Sequence, residues 1–248
     1  MAKIIKKPSA LKNDYLKIKK AVNKTVFSAF IFIIMSIFGS AVMQNDYLFS
    51  FGIVLTSLSV LGFIICIITV ISKQNSLAIK KQGVLGEDLT ADMLSSQLND
   101  DYTIFQNCII TLDGKSSETD LIVVGKSGIF IIETKNRNGI IEGNYQREKW
   151  TQHKTGFKGG NYSVDFYSPV KQVSTHIFRL AGFLRQNGIR VHIDGAVFFS
   201  NENAKLEISG SMSNIPVFCR KKDLIRFIKK NDNTIPTEIN QKICELLK

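Results

Sequence analysis

The stretch "GIFIIETKNRNG" (residues 128–139) closes an apolar run with Glu133 and Lys135, two residues apart. Alternate residues of an extended chain share a face, so this carboxylate and this ammonium project the same way. Upstream, "TDLIVVG" (119–125) is a second apolar run, and Gly125-Lys126-Ser127-Gly128 between them reads as a tight hairpin turn. If Gly125 pairs with Gly128, then Val124 faces Ile129 and Asp120 faces Glu133. Directly opposed residues carry Cβ atoms about 4.5–5.5 Å apart. Three ionisable groups thus converge at the ends of two apolar strands.

Two carboxylates face to face repel, and burying charge is costly. A divalent cation between them reverses the sign of that interaction. Carboxylate oxygens, a backbone carbonyl and waters are the ligands Mg²⁺ prefers. Lys135 can then orient or activate a water, and the cation can stabilise charge on a phosphate. A plainer reading stands beside this one: Glu133 and Lys135 as a solvated pair at a strand end, with Asp120 capping the start of a strand.

The elements that must position these groups follow from periodicity. Residues 76–98 have helical spacing: Glu87, Ala91, Leu94 and Leu98 fall at i, i+4, i+7 and i+11, so Glu87 borders the buried face. "DYTIFQNCII" (101–110) reads as a strand before the hairpin, and "GIIEGN" (139–144) as a short one after it. Residues 145–167, polar and Gly-rich around the single tryptophan, Trp150, read as a loop with one strand at most. "SPVKQVSTHIFRLAGFLRQNG" (168–188) has Ser168 as N-cap, Pro169 at the first helical position and a closing glycine. "VHIDGAVFFS" (191–200), "KLEIS" (205–209) and "IPVFC" (215–219) follow as strands, and "KKDLIRFIKKN" and "PTEINQKICELLK" as helices. This order gives an α/β fold with a mixed sheet flanked by helices.

The first third has a different character. Residues 25–45 and 47–72 carry no charge and are apolar on every side, each longer than the ~18 residues that suggest a spanning helix. Asn45 and Asp46 make the turn between them. Lys3, Lys6, Lys7, Lys12, Lys17, Lys19, Lys20 and Lys24 precede the first run, and Lys73, Lys80 and Lys81 follow the second. The positive-inside rule then predicts a multi-pass membrane protein with two spans and both termini cytoplasmic. The expected division is a basic segment (1–24), a transmembrane hairpin (25–72) and a cytosolic domain (75–248, core 80–200). The net charge of +11 also favours an anionic partner. Lys149, Lys154, Lys158, Lys171, Arg179, Arg185, Arg190 and the cluster Arg220, Lys221, Lys222, Arg226, Lys229, Lys230 could meet nucleic-acid phosphates or a lipid bilayer. The four cysteines, 66, 108, 219 and 244, are scattered, as free thiols in a reducing compartment would be.

An Asp at a strand start followed by an apolar strand ending in Glu-x-Lys resembles the PD-(D/E)xK nuclease core. More specifically, the chain is similar to the nuclease-related domain (NERD) family over roughly residues 80–185. "GVLGE" (83–87), "ETDLIVVGKSGIFIIETKNRNG" (118–139), Trp150 and "SPVKQ" (168–172) carry the resemblance. Thr119-Asp120 stands where the family usually has Ile-Asp, and Ser168 where it has Asn. The resemblance implies a restriction-endonuclease-like sheet and hydrolysis of nucleic acid, DNA first, with Mg²⁺ or Mn²⁺. It implies Asp120, Glu133 and the Thr134 carbonyl as metal ligands, and Lys135 as the group that positions the attacking water. Glu87 would complete the acidic cluster, and Gln172 would touch the site or substrate. His176, one turn after Gln172, is expected as an ordinary helix-face histidine, and Trp150 as core. The alternative is a catalytically inactive nucleic-acid-binding or scaffold domain at the membrane. Protein partners have no signature.

Overall fold

The computed structural model describes residues 1–156, 159–210, 214–230 and 234–248. Lys158 and Asn231, both within the stretches above, lie outside the described residues. The chain divides into two compact units, Ala10–Gln82 and Met1–Ser9 with Gly83–Lys248.

Two helices dominate the N-terminal third, α1 (Ala10–Val42) and α2 (Phe49–Gln97). Each holds an 18-residue window apolar enough to cross a membrane, with mean hydropathies of 2.2 and 2.7. Phe27, Phe38, Ile64 and Ile68 are exposed along them, so protein packing does not account for their apolar surface. The helix expected separately at 76–98 is the continuation of α2. Residues 73–82 contain neither Gly nor Pro, so composition changes there while backbone hydrogen bonding continues.

The other unit begins with β1 (Lys3–Lys6), a strand too short to be foreseen from periodicity. Its four residues run parallel to Thr103–Gln106, and Ala2 is buried beside Ser95, whose Oγ donates to the Ala2 carbonyl at 2.6 Å. Lys3 and Lys6, two of the lysines that flank the first apolar run, are therefore also sheet residues. After α2 come β2 (Thr103–Leu112), β3 (Lys115–Gly125), β4 (Gly128–Lys135), β5 (Gly139–Asn144), β6 (Lys149–Thr155), β7 (Asn161–Tyr167), α3 (Pro169–Gln186), β8 (Ile193–Phe199), β9 (Ala204–Ser209), β10 (Val217–Phe218), α4 (Lys221–Lys229) and α5 (Thr237–Leu246). All four cysteines are free.

The fold is α/β with a mixed sheet flanked by helices. Among the described residues the strands form two sheets, β1-β2-β3-β4-β8-β10 and β7-β6-β5-β9, where one was expected. The chain leaves the first sheet at Gly139, whose φ of +80° and 2.3 Å approach of a would-be Cβ to the His153 carbonyl admit no side chain. Residues 145–167 hold two strands rather than a loop. Only Trp150 and Gln152 of β6 are buried and β7 is largely exposed, so the hairpin shows little apolar alternation.

β3 and β4 are buried on both faces. Ile122, Val124, Ile129 and Ile131 pack against Val173, Leu180 and Leu184 of α3. Leu121, Val123, Phe130 and Ile132 pack against Ala91 and Leu94 of α2, Leu98 just past its end, and Leu224 and Ile228 of α4. Strands covered on both sides read as continuous apolar runs, which is why charges at their ends stand out. Alternation in β2 resets once: Phe105 and Cys108, an odd and an even residue, share the α3-side layer. Between them Asn107 takes a left-handed conformation, φ 59°. The pairs Gln106–Leu121 and Cys108–Thr119 flank this kink, so Asp120 lies directly across from it.

Candidate active site

The hairpin register is as counted, Gly125 with Gly128 and Val124 with Ile129, through to Leu121 with Ile132. One step beyond that last pair come Asp120 and Glu133. β4 also runs parallel to β8, with Glu133 beside Val197 and Lys135 beside Phe199, so both charged residues sit at the end of a central strand.

Glu133 is 1% exposed. Lys135 Nζ donates to Glu133 Oε1 at 2.5 Å and to Gln172 Oε1 at 3.2 Å. This pair is buried, not the solvated one of the plainer reading. Gln172 is delivered by the start of α3, where Ser168 Oγ accepts from the Lys171 N–H at 3.5 Å and Pro169 opens the first turn. Asp120 Oδ2 accepts from the Thr134 N–H at 2.8 Å. Thr134 is itself buried, and its Oγ1 has no hydrogen-bond partner.

Glu87 arrives from α2. A Cβ on the preceding Gly86 would lie 2.6 Å from Asn136 Cβ and 3.0 Å from Ser200 Oγ, just past the ends of β4 and β8. Only glycine lets the helix approach the strand ends this closely, and that approach carries Glu87, 8% exposed, toward the acidic cluster.

Electrostatics follow from this crowding. Burial, Glu133 and Glu87 together raise the Asp120 carboxyl well above its ordinary range. Burial, then Glu118 and Glu133, push Glu87 up to about 7. Burial pushes Glu133 upward, but the Lys135 ammonium and His176 together outweigh it and leave Glu133 low. For Lys135 burial pulls down, while Glu133 and Asp120 more than offset it and hold its pKa high. Lys135 therefore stays an ammonium, able to donate hydrogen bonds to a water or a phosphate oxygen.

The structure brings two further groups to this site. His176 is 5% exposed, with Nε2 3.6 Å from Glu133 Oε2 and Nδ1 3.3 Å from Ser117 Oγ. It is a neighbour of Glu133 rather than an ordinary helix-face histidine. Its signal was the i, i+4 spacing from Gln172. Glu118 acts on Glu87, and nothing in its sequence context announces it. Trp150 is core, as expected: it is buried, stacks on Phe199 at 6.5 Å and donates Nε1–H to the Asn144 carbonyl. Part of the basic cluster at α4 is balanced locally, Arg220 and Arg226 by Asp223 and Lys221 by Glu202.

Among the described residues no three His, Cys, Asp or Glu side chains are gathered as a metal-ligand set. The donors nevertheless fit a hard divalent cation on one observation. Glu133 Oε2 is buried and makes no hydrogen bond among the described residues, with His176 Nε2 3.6 Å away as an ion-pair neighbour. A buried carboxylate oxygen with unmet hydrogen-bonding capacity suits Mg²⁺ or Mn²⁺ as a ligand.

Residues 82–200 match the nuclease-related domain, NERD. An uncharacterised protein of Bacillus anthracis is 30% identical over 134 residues, 52% of this chain and 61% of the relative. The chain thus spans about three fifths of that relative's length. No solved structure matches significantly.

Proposed function

From the match of residues 82–200 to the nuclease-related domain we propose a membrane-anchored, Mg²⁺- or Mn²⁺-dependent phosphodiesterase that hydrolyses nucleic acid, DNA first. The observation that carries this reading is the convergence of Asp120, Glu133 and Lys135 at one strand end, with a buried Glu133 oxygen that makes no hydrogen bond among the described residues and has His176 Nε2 3.6 Å away. Asp120, Glu133 and the Thr134 carbonyl would hold the cation, which supplies charge stabilisation at a phosphate and lowers the pKa of water. Lys135, fixed by Glu133 and Gln172, aims its ammonium at the attacking water. Glu87, with a pKa near neutrality, can hold or release a proton at the working pH.

Anchoring rests on α1 and α2, and the cytoplasmic placement of both termini on the flanking lysines. β1 supports the pairing of the two ends. Residues 3–6 lie in the same sheet as β4, so a chain that leaves this unit through α1 and returns through α2 crosses a bilayer an even number of times.

A second reading, an inactive scaffold that keeps the fold, is favoured by the absence of a three-residue ligand set among the described residues. The test uses the full chain in lipid nanodiscs, because removing residues 1–9 would strip β1 from the sheet edge. Linear, nicked and single-stranded DNA are incubated with Mg²⁺ or Mn²⁺. Cleavage abolished by Glu133→Gln and by EDTA is expected. No cleavage of any substrate, or cleavage indifferent to Glu133→Gln, sinks the hydrolytic reading in favour of the scaffold.

A further inference from the structure

The β6–β7 hairpin carries a surface that the hydrolytic residues leave unused. Its register pairs Trp150 with Phe166, Gln152 with Val164 and Lys154 with Tyr162, so these side chains share one face. The face grades from core to solvent. Trp150 is buried, Phe166 half-buried, and Val164 and Tyr162 are 41% and 51% exposed.

Arg137, two residues past Lys135, lies on this face. Its Cζ sits 4.2 Å from the centre of the Phe166 ring, and Nη1 donates to Gln152 Oε1 at 2.7 Å. Gln152 is fully buried and donates in turn to the Asn138 carbonyl at 2.7 Å, so the guanidinium rests on a fixed support. Lys154, half-buried on the next pair out, is near enough to be repelled: burial, then Arg137, lowers its pKa. Among the described residues neither cation forms an ion pair with a carboxylate. Two like charges held together without a counter-charge are relieved by an anion.

Cations beside an exposed aromatic, one step from a phosphodiester-cleaving centre, are the elements a single strand needs. Phosphates go to the cations, and an unstacked base lies on the ring. Bases in a duplex are paired and stacked, and cannot reach Tyr162.

We propose that Arg137 and Lys154 hold a backbone phosphate of a single-stranded segment while an unpaired base lies on Tyr162, which makes single-stranded or frayed nucleic acid the substrate of the neighbouring site. This rests on the nuclease reading of Asp120, Glu133 and Lys135. The test measures fluorescence anisotropy of a labelled single-stranded oligonucleotide and of its duplex. The full chain is held in phosphatidylcholine nanodiscs with EDTA, across a salt series. The single strand binds more tightly than the duplex. Tyr162→Ala weakens single-strand binding about 10-fold and leaves duplex binding alone. Arg137→Gln with Lys154→Gln lowers the slope of log affinity against log salt by about 0.7 for each phosphate that the variant leaves unneutralised. Circular dichroism melts confirm folding, and the exposed Tyr162 provides a variant with little structural risk. Three results overturn the proposal: variants that bind as wild type does, tighter binding of duplex, or displacement of the oligonucleotide by polyglutamate of equal charge. If Glu133→Gln still abolishes cleavage in those cases, the platform alone fails. If the wild type binds no nucleic acid in any arm, the nuclease reading fails with it.

Discussion

Lys135→Met tests the electrostatic reasoning most directly. Its ammonium lies 2.5 Å from Glu133 Oε1, with side chains 21% and 1% exposed respectively. Removing one partner of a buried pair leaves an uncompensated charge and costs about 3–5 kcal/mol. That cost depends on pH. In the wild type Lys135 and His176 together outweigh burial and hold Glu133 below its ordinary 4.5. Such a group contributes stability above its unfolded pKa, and loses it as pH falls through the folded value. Without Lys135 only His176 opposes burial, the largest single cause, and the folded pKa is expected to rise above 4.5. The variant's carboxyl then contributes stability below 4.5 and loses it as pH rises. The wild type's contribution is already in place at pH 5, so the gap between the two proteins should widen from pH 5 to pH 8 as the variant's carboxyl ionises, reaching about 3–5 kcal/mol at pH 8. At about 2–4 °C per kcal/mol, the gap in Tm at pH 8 is roughly 6–20 °C. Differential scanning fluorimetry of the full chain in detergent, with EDTA, reads it directly. Adding Mg²⁺ at pH 8 should narrow the gap, because a cation beside Glu133 substitutes for the missing ammonium. A Tm gap that is the same at pH 5 and pH 8 would refute the reasoning.

Glu87→Gln should act in the opposite sense. A folded pKa of about 7 against an ordinary 4.5 means the wild type loses stability as pH rises through that window, about 3 kcal/mol by pH 8. The variant, in EDTA, is expected to be more stable than wild type at pH 8 and no more so at pH 4; denaturant titrations at the two pH values decide. Gly86→Ala forces a Cβ to within 2.6 Å of Asn136 Cβ, and should cost about 1–3 kcal/mol while displacing Glu87. Its Tm and cleavage rate should both fall; a wild-type melt would show that the helix has room to spare. Reporters fused at residues 1 and 248 should both be active in the cytoplasm, and activity of either on the far side would overturn the topology.

Much of this protein is legible in one dimension because the interactions concerned are local. The hairpin at Gly125–Gly128 is set by a short turn, and strand alternation then sets the neighbours of Ile129 and Val124. Ser168 and Pro169 start α3 through groups within one turn of themselves. The two apolar helices follow from length and composition, since their partner in contact is decided by solvent rather than by sequence order. Other features depend on packing between distant segments. β1 is too short to show a period, and is held only because β2 presents a free edge. The split into two sheets turns on Gly139, where the chain must pass the His153 carbonyl. Asn107 resets the alternation opposite Asp120, which no count of apolar residues reveals. Glu87, Glu118, Gln172 and His176 are gathered around the strand end by α2, β3 and α3 packing onto the sheet, and the burial and closeness this brings move the proton affinities. By itself the sequence determined the elements and the strand end where charge collects. The tertiary structure decided which charges meet there and which remain uncompensated, because Coulomb interactions and desolvation depend on distance in space and not on distance along the chain.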